Sequence, residues 1–426
     1  MSREMKDSGV EWIGEIPGEW KVERLQWHLK EINRINNPIE TDYILSLNNK
    51  TGVIPYEERD NMGNKAKEDC SQYKIAYPDT LVMNSMNVII GSVGISRYYG
   101  CISPVYYVFK ANDKTELRYI DYIFKIERFQ KELRKYANGI LEIRLRISVH
   151  DTLRRLIPIP DFKEQCRIAD FLDKKSKKID IMIIKQQEYS DLLVKYKYSL
   201  YTEEAKKLKG KKVLLGRIIK NIEQGWSPVP AERNEDGDWD VLTLAAVKYG
   251  EFSGDEVKRF SGSVEKCGNL ILKKDDFLLT RSNTRDLVGQ VCIVDKNMEK
   301  TIFSDLIYRL TFDKKYADPE YLMFYFQTAM MRQQISRDAH GSSSTMVKIT
   351  HKDIKSWEIE LPTLIEQKEY VDKMKQRTEI INKQLEVRNQ YINLLKEYKK
   401  SLIYEYVTGK RRCRNLEYRC YNRETF

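Results

Sequence analysis

A segment of 44 residues occurs twice in this chain, 202 positions apart and without a gap in register. The first copy is Pro160 to Glu203, PDFKEQCRIADFLDKKSKKIDIMIIKQQEYSDLLVKYKYSLYTE, and the second is Pro362 to Glu405. Pro160/Pro362, Gln165/Gln367, Ile179/Ile381, Tyr189/Tyr391, Leu192/Leu394, Tyr196/Tyr398, Leu200/Leu402 and Glu203/Glu405 all coincide. A repeat of this period is far longer than a solenoid unit of roughly 20–50 residues, so it marks a duplicated domain with its helix.

Each copy reads as one long helix. Ile168, Leu172, Ile179, Ile183, Leu193 and Leu200 form a stripe in the first, and Met374, Ile381, Leu385, Ile392, Leu395 and Leu402 in the second. Steps of 3, 4 and 7 are those of a coiled coil. A helix of this length spans about 65 Å at 1.5 Å per residue, which outreaches a small domain. If each helix lay only on its own globule, much of the stripe would stay wet, so the expectation is that the two helices pair with each other. The first runs away from its globule, the linker is short, and the second must return, which makes the pair antiparallel.

Each helix follows a mixed globule, in the order globule, helix, globule, helix. The first has β-like runs at Tyr77–Met83 and Val105–Phe109 and a helical pattern over Leu117–Tyr136 ended by Gly139; the second has VLTLAAV (Val241–Val247), FLLT (Phe277–Thr280) and a helical Pro319–Asp338. The expected fold class is therefore α+β, two globular mixed α/β domains separated by two long helices that form an antiparallel coiled coil, with a pseudo-twofold internal repeat. The expected domains are 1–155 (globule with an irregular N-terminal arm), 156–212 (helix and the lysine-rich linker KKLKGKK), 213–357 (second globule), 358–408 (second helix) and 409–426 (a basic tail).

Composition narrows the function classes. No apolar run reaches the length of a membrane span, and the opening MSREMKDSGVEW lacks an apolar signal core, so a cytoplasmic setting is expected. Seven cysteines without a C-x-x-C pair speak against a disulfide framework or a zinc site. A net charge of +11 favours a polyanionic partner. No two prolines are adjacent and no two glycines stand one residue apart, which removes the Asn/Asp-Pro-Pro-Tyr/Phe motif of adenine methyltransferases and G-x-G cofactor loops. A nuclease-like Pro160-Asp161 with Asp173-Lys174-Lys175 falls on the long helix, and its second copy loses both acids. The four histidines have no ligand spacing, so neither a catalytic nor a metal site is expected.

Loops rich in Arg, Asn, Ser and Thr suit contact with phosphates and base edges. The candidates are Asn84, Ser85, Asn87, Arg97, Arg144 and Arg146 in the first globule, and Arg281, Ser282, Asn283, Thr284, Arg285, Ser342, Ser343, Ser344 and Lys348 in the second. Ordinary solvated loops are the bland alternative; the recurrence of the loops at comparable places weighs more than any one residue.

With these residues in view, the chain resembles a specificity subunit of a type I restriction–modification enzyme. The likeness is carried by the opening KDSGVEWIGEIPGEW-x-V-x-R-L, by IPIP-x-x-x-EQ-x-RIADFLDKK-x-x-KID, by the second-copy ELP-x-x-x-EQ and by the terminal LIYEYVTGK. The resemblance implies that each globule is a target recognition domain reading one half of a bipartite site on double-stranded DNA. It implies that the helices set the spacing and dock two methyltransferase subunits carrying S-adenosylmethionine. Restriction subunits would add ATP- and Mg-dependent translocation and cleavage, and this chain would supply recognition without catalysis. Two departures stand out: KEYVDKM replaces CRIADFL in the second copy, and the tail after Lys410 has no counterpart in the family's usual ending. A self-contained nuclease and a protein-only coiled-coil adaptor remain as rival readings.

Overall fold

The computed structural model describes residues 3–48, 51–59, 69–86, 90–139, 145–229, 237–261, 267–341 and 346–413. The chain divides into two compact units, 1–186 with 390–426, and 187–389. Each unit therefore holds one globule and parts of both long helices.

The long helices are α4 (Phe162–Ala205) and α8 (Leu364–Val407), 44 residues each. Both begin directly after a proline and a capping residue. Asp161 Oδ1 accepts the Glu164 N–H at 2.9 Å. Thr363 and Glu366 cap each other reciprocally, with Thr363 N–H donating to Glu366 Oε2 at 2.9 Å. After α8, Gly409 takes φ +74°, the left-handed turn in which helices commonly end. A Cβ there would meet Pro17 Cδ at 2.4 Å, so only glycine fits.

In the first unit, β1 (Leu29–Glu31), β2 (Thr80–Asn84), β3 (Val93–Ser96) and β4 (Tyr106–Ala111) form an antiparallel sheet in the order β1-β4-β2-β3. In the second unit, β5 (Ile219–Gln224), β6 (Phe277–Thr280), β7 (Val291–Ile293) and β8 (Ile307–Phe312) repeat that order as β5-β8-β6-β7. Strands β2 and β6 are buried along their whole length, which explains why they read as unbroken apolar runs rather than alternating ones. In each unit the strand leading into the long helix pairs with the one opening the globule, Leu156–Ile159 with Lys21–Arg24 and Glu358–Leu361 with Lys211–Leu214.

Each single helix expected over Leu117–Tyr136 and Pro319–Asp338 is two. They are α1 (Leu117–Phe124) and α2 (Glu127–Arg134), and α5 (Pro319–Tyr325) and α6 (Ala329–Asp338). The break falls in the same register. Ile126 turns extended so that its side chain enters the core, and Thr328 turns extended to cap α6 by accepting the Met331 N–H. Between the breaks and the long helices lie α3 (Val149–Leu153) and α7 (His351–Ser356), capped by Ser148 and Thr350. The arm expected to be irregular contains a ribbon, Met5–Asp7 against Glu15–Pro17. Of VLTLAAV, the strand Trp239–Leu242 stops before a 3-10 turn at Leu244–Ala246.

Within each unit the helix segments run antiparallel. In the first, Phe171 stacks on Tyr406 with centroids 4.4 Å apart, and Asp180 meets Lys399 at 2.7 Å. In the second, Tyr201 Oη and Thr378 Oγ1 are 2.8 Å apart, and Glu204 meets Lys373 at 2.7 Å. The number rises on α4 as it falls on α8. The sequence posed helix pairing and packing on the globule as alternatives, and the structure has both. Ile168, Leu172, Leu395 and Leu402 share one core with β2, α1 and α2, and Leu200, Met374 and Ile381 share another with β6, α5 and α6. The helix ends are thus part of each globule's core, which fixes their orientation on it.

Candidate nucleic-acid interface

Two loops meet in each unit, and the meeting is built the same way. In the first unit, the Ile147 N–H donates to Ser85 O at 3.1 Å, which joins the turn after β2 to the segment before α3. In the second, the Ile349 N–H donates to Arg281 O at 3.0 Å, and Ser282–Asn283 pairs with Val347–Lys348. The loops chosen separately from the sequence therefore lie side by side.

The side chains in them divide into two groups. Asn84, Ser85 and Ser282 are buried. Asn84 Oδ1 accepts the Met86 N–H at 3.0 Å, and the Ser282 hydroxyl donates to Val347 O at 3.0 Å. Asn84 and Ser282 hold their loops by these bonds, and in this structure the three side chains offer little surface to a groove. Asn283 and Thr284 are half-buried, and Asn283 Oδ1 accepts the Thr284 N–H. Arg146, Arg285 and Lys348 are exposed; Arg97 is exposed too, but it follows β3 beside Asp79, at the end of the sheet away from the junction. Arg285 Nη1 donates to Ser336 O at 2.8 Å, which steadies the guanidinium over α6. Asn87, Arg144, Ser342, Ser343 and Ser344 lie outside the described residues.

Arg281 is half-buried, its Nη1 donating to Asp305 O at 3.3 Å and its guanidinium carbon 5.8 Å from the Tyr308 ring centre. His351 packs edge-on against that ring at 4.7 Å. Burial, and then the positive charges of Lys355 and Arg281, lower its pKa, so it stands as a neutral imidazole at pH 7 with a donor and an acceptor. His351 has no ligand spacing in the sequence, and it comes beside Arg281 through the Ile349–Arg281 contact two residues before it.

On the helices, Ile168, Leu172, Ile179, Leu193, Leu200, Met374, Ile381, Ile392, Leu395 and Leu402 are buried, and Ile183 and Leu385 half-buried. A second stripe is not covered. Tyr189, Leu192 and Tyr196 are exposed on α4, Leu192 at 60%, and their repeats Tyr391, Leu394 and Tyr398 are exposed on α8, Leu394 at 67%. Duplication flagged these positions in the sequence, but the 3, 4, 7 pattern drew attention to the buried face.

The nuclease-like acids are otherwise engaged. Asp161 caps α4, and Asp173 accepts from Arg118 at 2.9 Å and from the Tyr122 hydroxyl at 2.7 Å. Among the described residues no group of three His, Cys, Asp or Glu is placed to hold a metal ion, and no helix is long and apolar enough to cross a membrane.

Residues 211–392 match the family model of the type I restriction modification DNA specificity domain. The chain is similar to specificity subunits of type I restriction–modification enzymes. It is 26% identical over 150 residues to the EcoEI specificity subunit of Escherichia coli, a match covering 35% of this chain and 25% of that protein's length. It is 22% identical over 444 residues to the MjaVIII specificity subunit of Methanocaldococcus jannaschii, covering 95% of each. A chain solved in work on complex assembly and conformational transition of the type I R-M system covers 92% of this chain and 98% of its own length. It superposes with a TM-score of 0.67 at 14% identity, which is a likeness of fold.

Proposed function

We propose that the chain is the DNA sequence-recognition subunit of a type I restriction–modification complex, with each globule reading one half of a bipartite, asymmetric target. The observation that carries this is the doubled loop junction. It has one frame in both units, with Arg146 on one and Arg281, Arg285 and Lys348 on the other. Like frames with unlike side chains are what two different half-sites require. The net charge of +11 supports a polyanionic target.

The exposed Tyr–Leu–Tyr stripes on α4 and α8 are the surfaces on which two methyltransferase subunits would dock, since large apolar side chains repeated at helical spacing favour helix-in-groove contact. Those subunits would bring S-adenosylmethionine, and restriction subunits ATP and Mg. This chain would add no catalytic group and would work in the cytoplasm.

The test is a gel-shift titration of the chain with its methyltransferase partner on DNA carrying the two-part motif found methylated in the host genome. Tight binding should fall steeply with salt and should be lost when a few base pairs are inserted between the halves. Affinity unchanged by the insertion would overturn the two-site reading. Metal-dependent cleavage by the chain alone would favour a self-contained nuclease.

A further inference from the structure

The second unit holds a pocket of about 500 Å³ between the last turns of α4, the turn at Tyr249 and the start of α6. That volume falls within the range of small-ligand clefts, roughly 300–1,000 Å³. Its polar groups are not all accounted for by the protein. Gln327 is 5% exposed; its Nε2 donates to Met323 O at 3.2 Å, while its Oε1 is buried without a partner. A buried acceptor left unmade is costly, so one that lines a cavity points to a donor arriving from elsewhere.

Tyr249 forms the opposite wall. Its backbone is left-handed at φ +55°, unusual for a bulky residue, and is held there by its N–H donating to Gln290 Oε1 at 3.0 Å. The neighbouring Gly250 lets the turn close over the Gln327 carboxamide, because a Cβ would come within 2.4 Å of Nε2. The strained turn presents an exposed phenol ring 5.8 Å from that of Tyr198. Across the pocket, Arg332 donates to Val288 O at 2.8 Å and Asp286 O at 3.0 Å, and it has no ion-pair partner among the described residues. Lys206 also lines the pocket, paired with Glu203 at 2.8 Å.

We propose that this pocket binds a nucleobase with an exocyclic amine, as a free nucleotide or as one nucleotide of a strand. The amine is the missing donor for Gln327 Oε1, the phenol rings supply a stacking face, and the Arg332 charge suits a phosphate. The first unit is a built-in control. At the repeat positions of Tyr198, Gln327 and Arg332 it has Lys400, Lys125 and Gln130. There Lys400 pairs with Glu397, Lys125 with Asp121, and Gln130 donates to Phe124 O at 2.9 Å. That chemistry is satisfied internally.

The test is calorimetric titration of the full chain with adenosine 5′-monophosphate. Saturable binding should weaken about tenfold or more in Gln327→Leu and in Tyr249→Ala, and should be unchanged in Gln130→Leu. Ribose 5-phosphate should compete poorly. Competition by an oligodeoxyadenylate would identify a strand as a source of the base; its failure to compete would identify the free nucleotide. Circular dichroism melts establish that each variant is folded. No saturable binding at millimolar nucleotide, binding indifferent to both pocket variants, or a preference for N-acetyltryptophanamide over nucleotide would overturn the proposal.

Discussion

The two units place the same pairs of positions in contact and fill them with different chemistry. Phe171 stacks on Tyr406 in the first unit; the repeat positions in the second are Lys373 and Glu204, an ion pair at 2.7 Å. Asp180 with Lys399 becomes Asn382 with Lys197, 3.4 Å apart. Arg118 with Asp173 becomes Glu320 with Lys375, the charges reversed. The contact geometry has outlasted the side chains, which is expected where position is set by the backbone frame and each pair contributes little on its own.

What has not drifted shows where the frame resides. Gln165 accepts the Glu116 N–H at 3.0 Å and donates to Pro160 O and Lys114 O. Gln367 does the same with Asp318, Pro362 and Tyr316. Tyr119 donates to Pro158 O at 2.8 Å and Tyr321 to Glu360 O at 2.6 Å. Each glutamine amide serves a backbone donor and two backbone acceptors at once, and each tyrosine hydroxyl serves a backbone acceptor. The sharpest test of the comparison is therefore the matched pair Gln165→Ala and Gln367→Ala. Each should destabilise by about 3 kcal/mol, the cost of leaving buried backbone groups unpaired. Hydrogen exchange should localise each loss to its own unit. A loss under about 1 kcal/mol in either would mean that the frame lies elsewhere.

The same contrast explains what was legible in the sequence. The helix pair was readable because a 3, 4, 7 stripe such as Ile168–Leu172–Ile179 recurs in register, and periodicity survives side-chain drift. The break at Ile126 was not, since no glycine or proline marks it and burial of Ile126 overrides the local helical pattern. Thr328 was a visible cap that the pattern overran. At the loops, Ser282 and Arg285 look alike to composition. One faces a carbonyl inside the fold and the other solvent, and only the strand pairing of Ser282–Asn283 with Val347–Lys348 separates them.

Acid should divide the units at the helix contact. The Lys373 ammonium, helped by Lys207, lowers the Glu204 pKa against the opposing effect of burial, with Arg377 also facing it. A depressed folded pKa adds stability above the unfolded value of about 4.3, lost as pH falls through the folded value. Phe171 and Tyr406 do not titrate in that window. Urea melts from pH 6 down to about 3 should show an acid-dependent loss in the wild type that is smaller in Glu204→Gln and unaltered by Phe171→Leu. Equal acid slopes for wild type and Glu204→Gln would remove the ion pair from the account.

The smallest effect concerns the reversed charges. Glu320 and Lys375 form a partly exposed pair at 2.6 Å, worth about 0.2–1 kcal/mol. Glu320→Lys or Lys375→Glu alone should lose that amount, and the double reversal should restore it. Arg118 is different. Besides Asp173 it binds Asp170 at 2.7 Å and Glu116 at 3.0 Å. Arg118→Glu with Asp173→Lys would leave Glu116 and Asp170 facing a new carboxylate, so the reversal should not restore stability. A double-mutant cycle in each unit gives the coupling directly. Full restoration at both sites would mean that Arg118 sees Asp173 alone. Restoration at Glu320–Lys375 but not at Arg118 would show that the same repeat position holds a simple pair in one unit and a shared hub in the other.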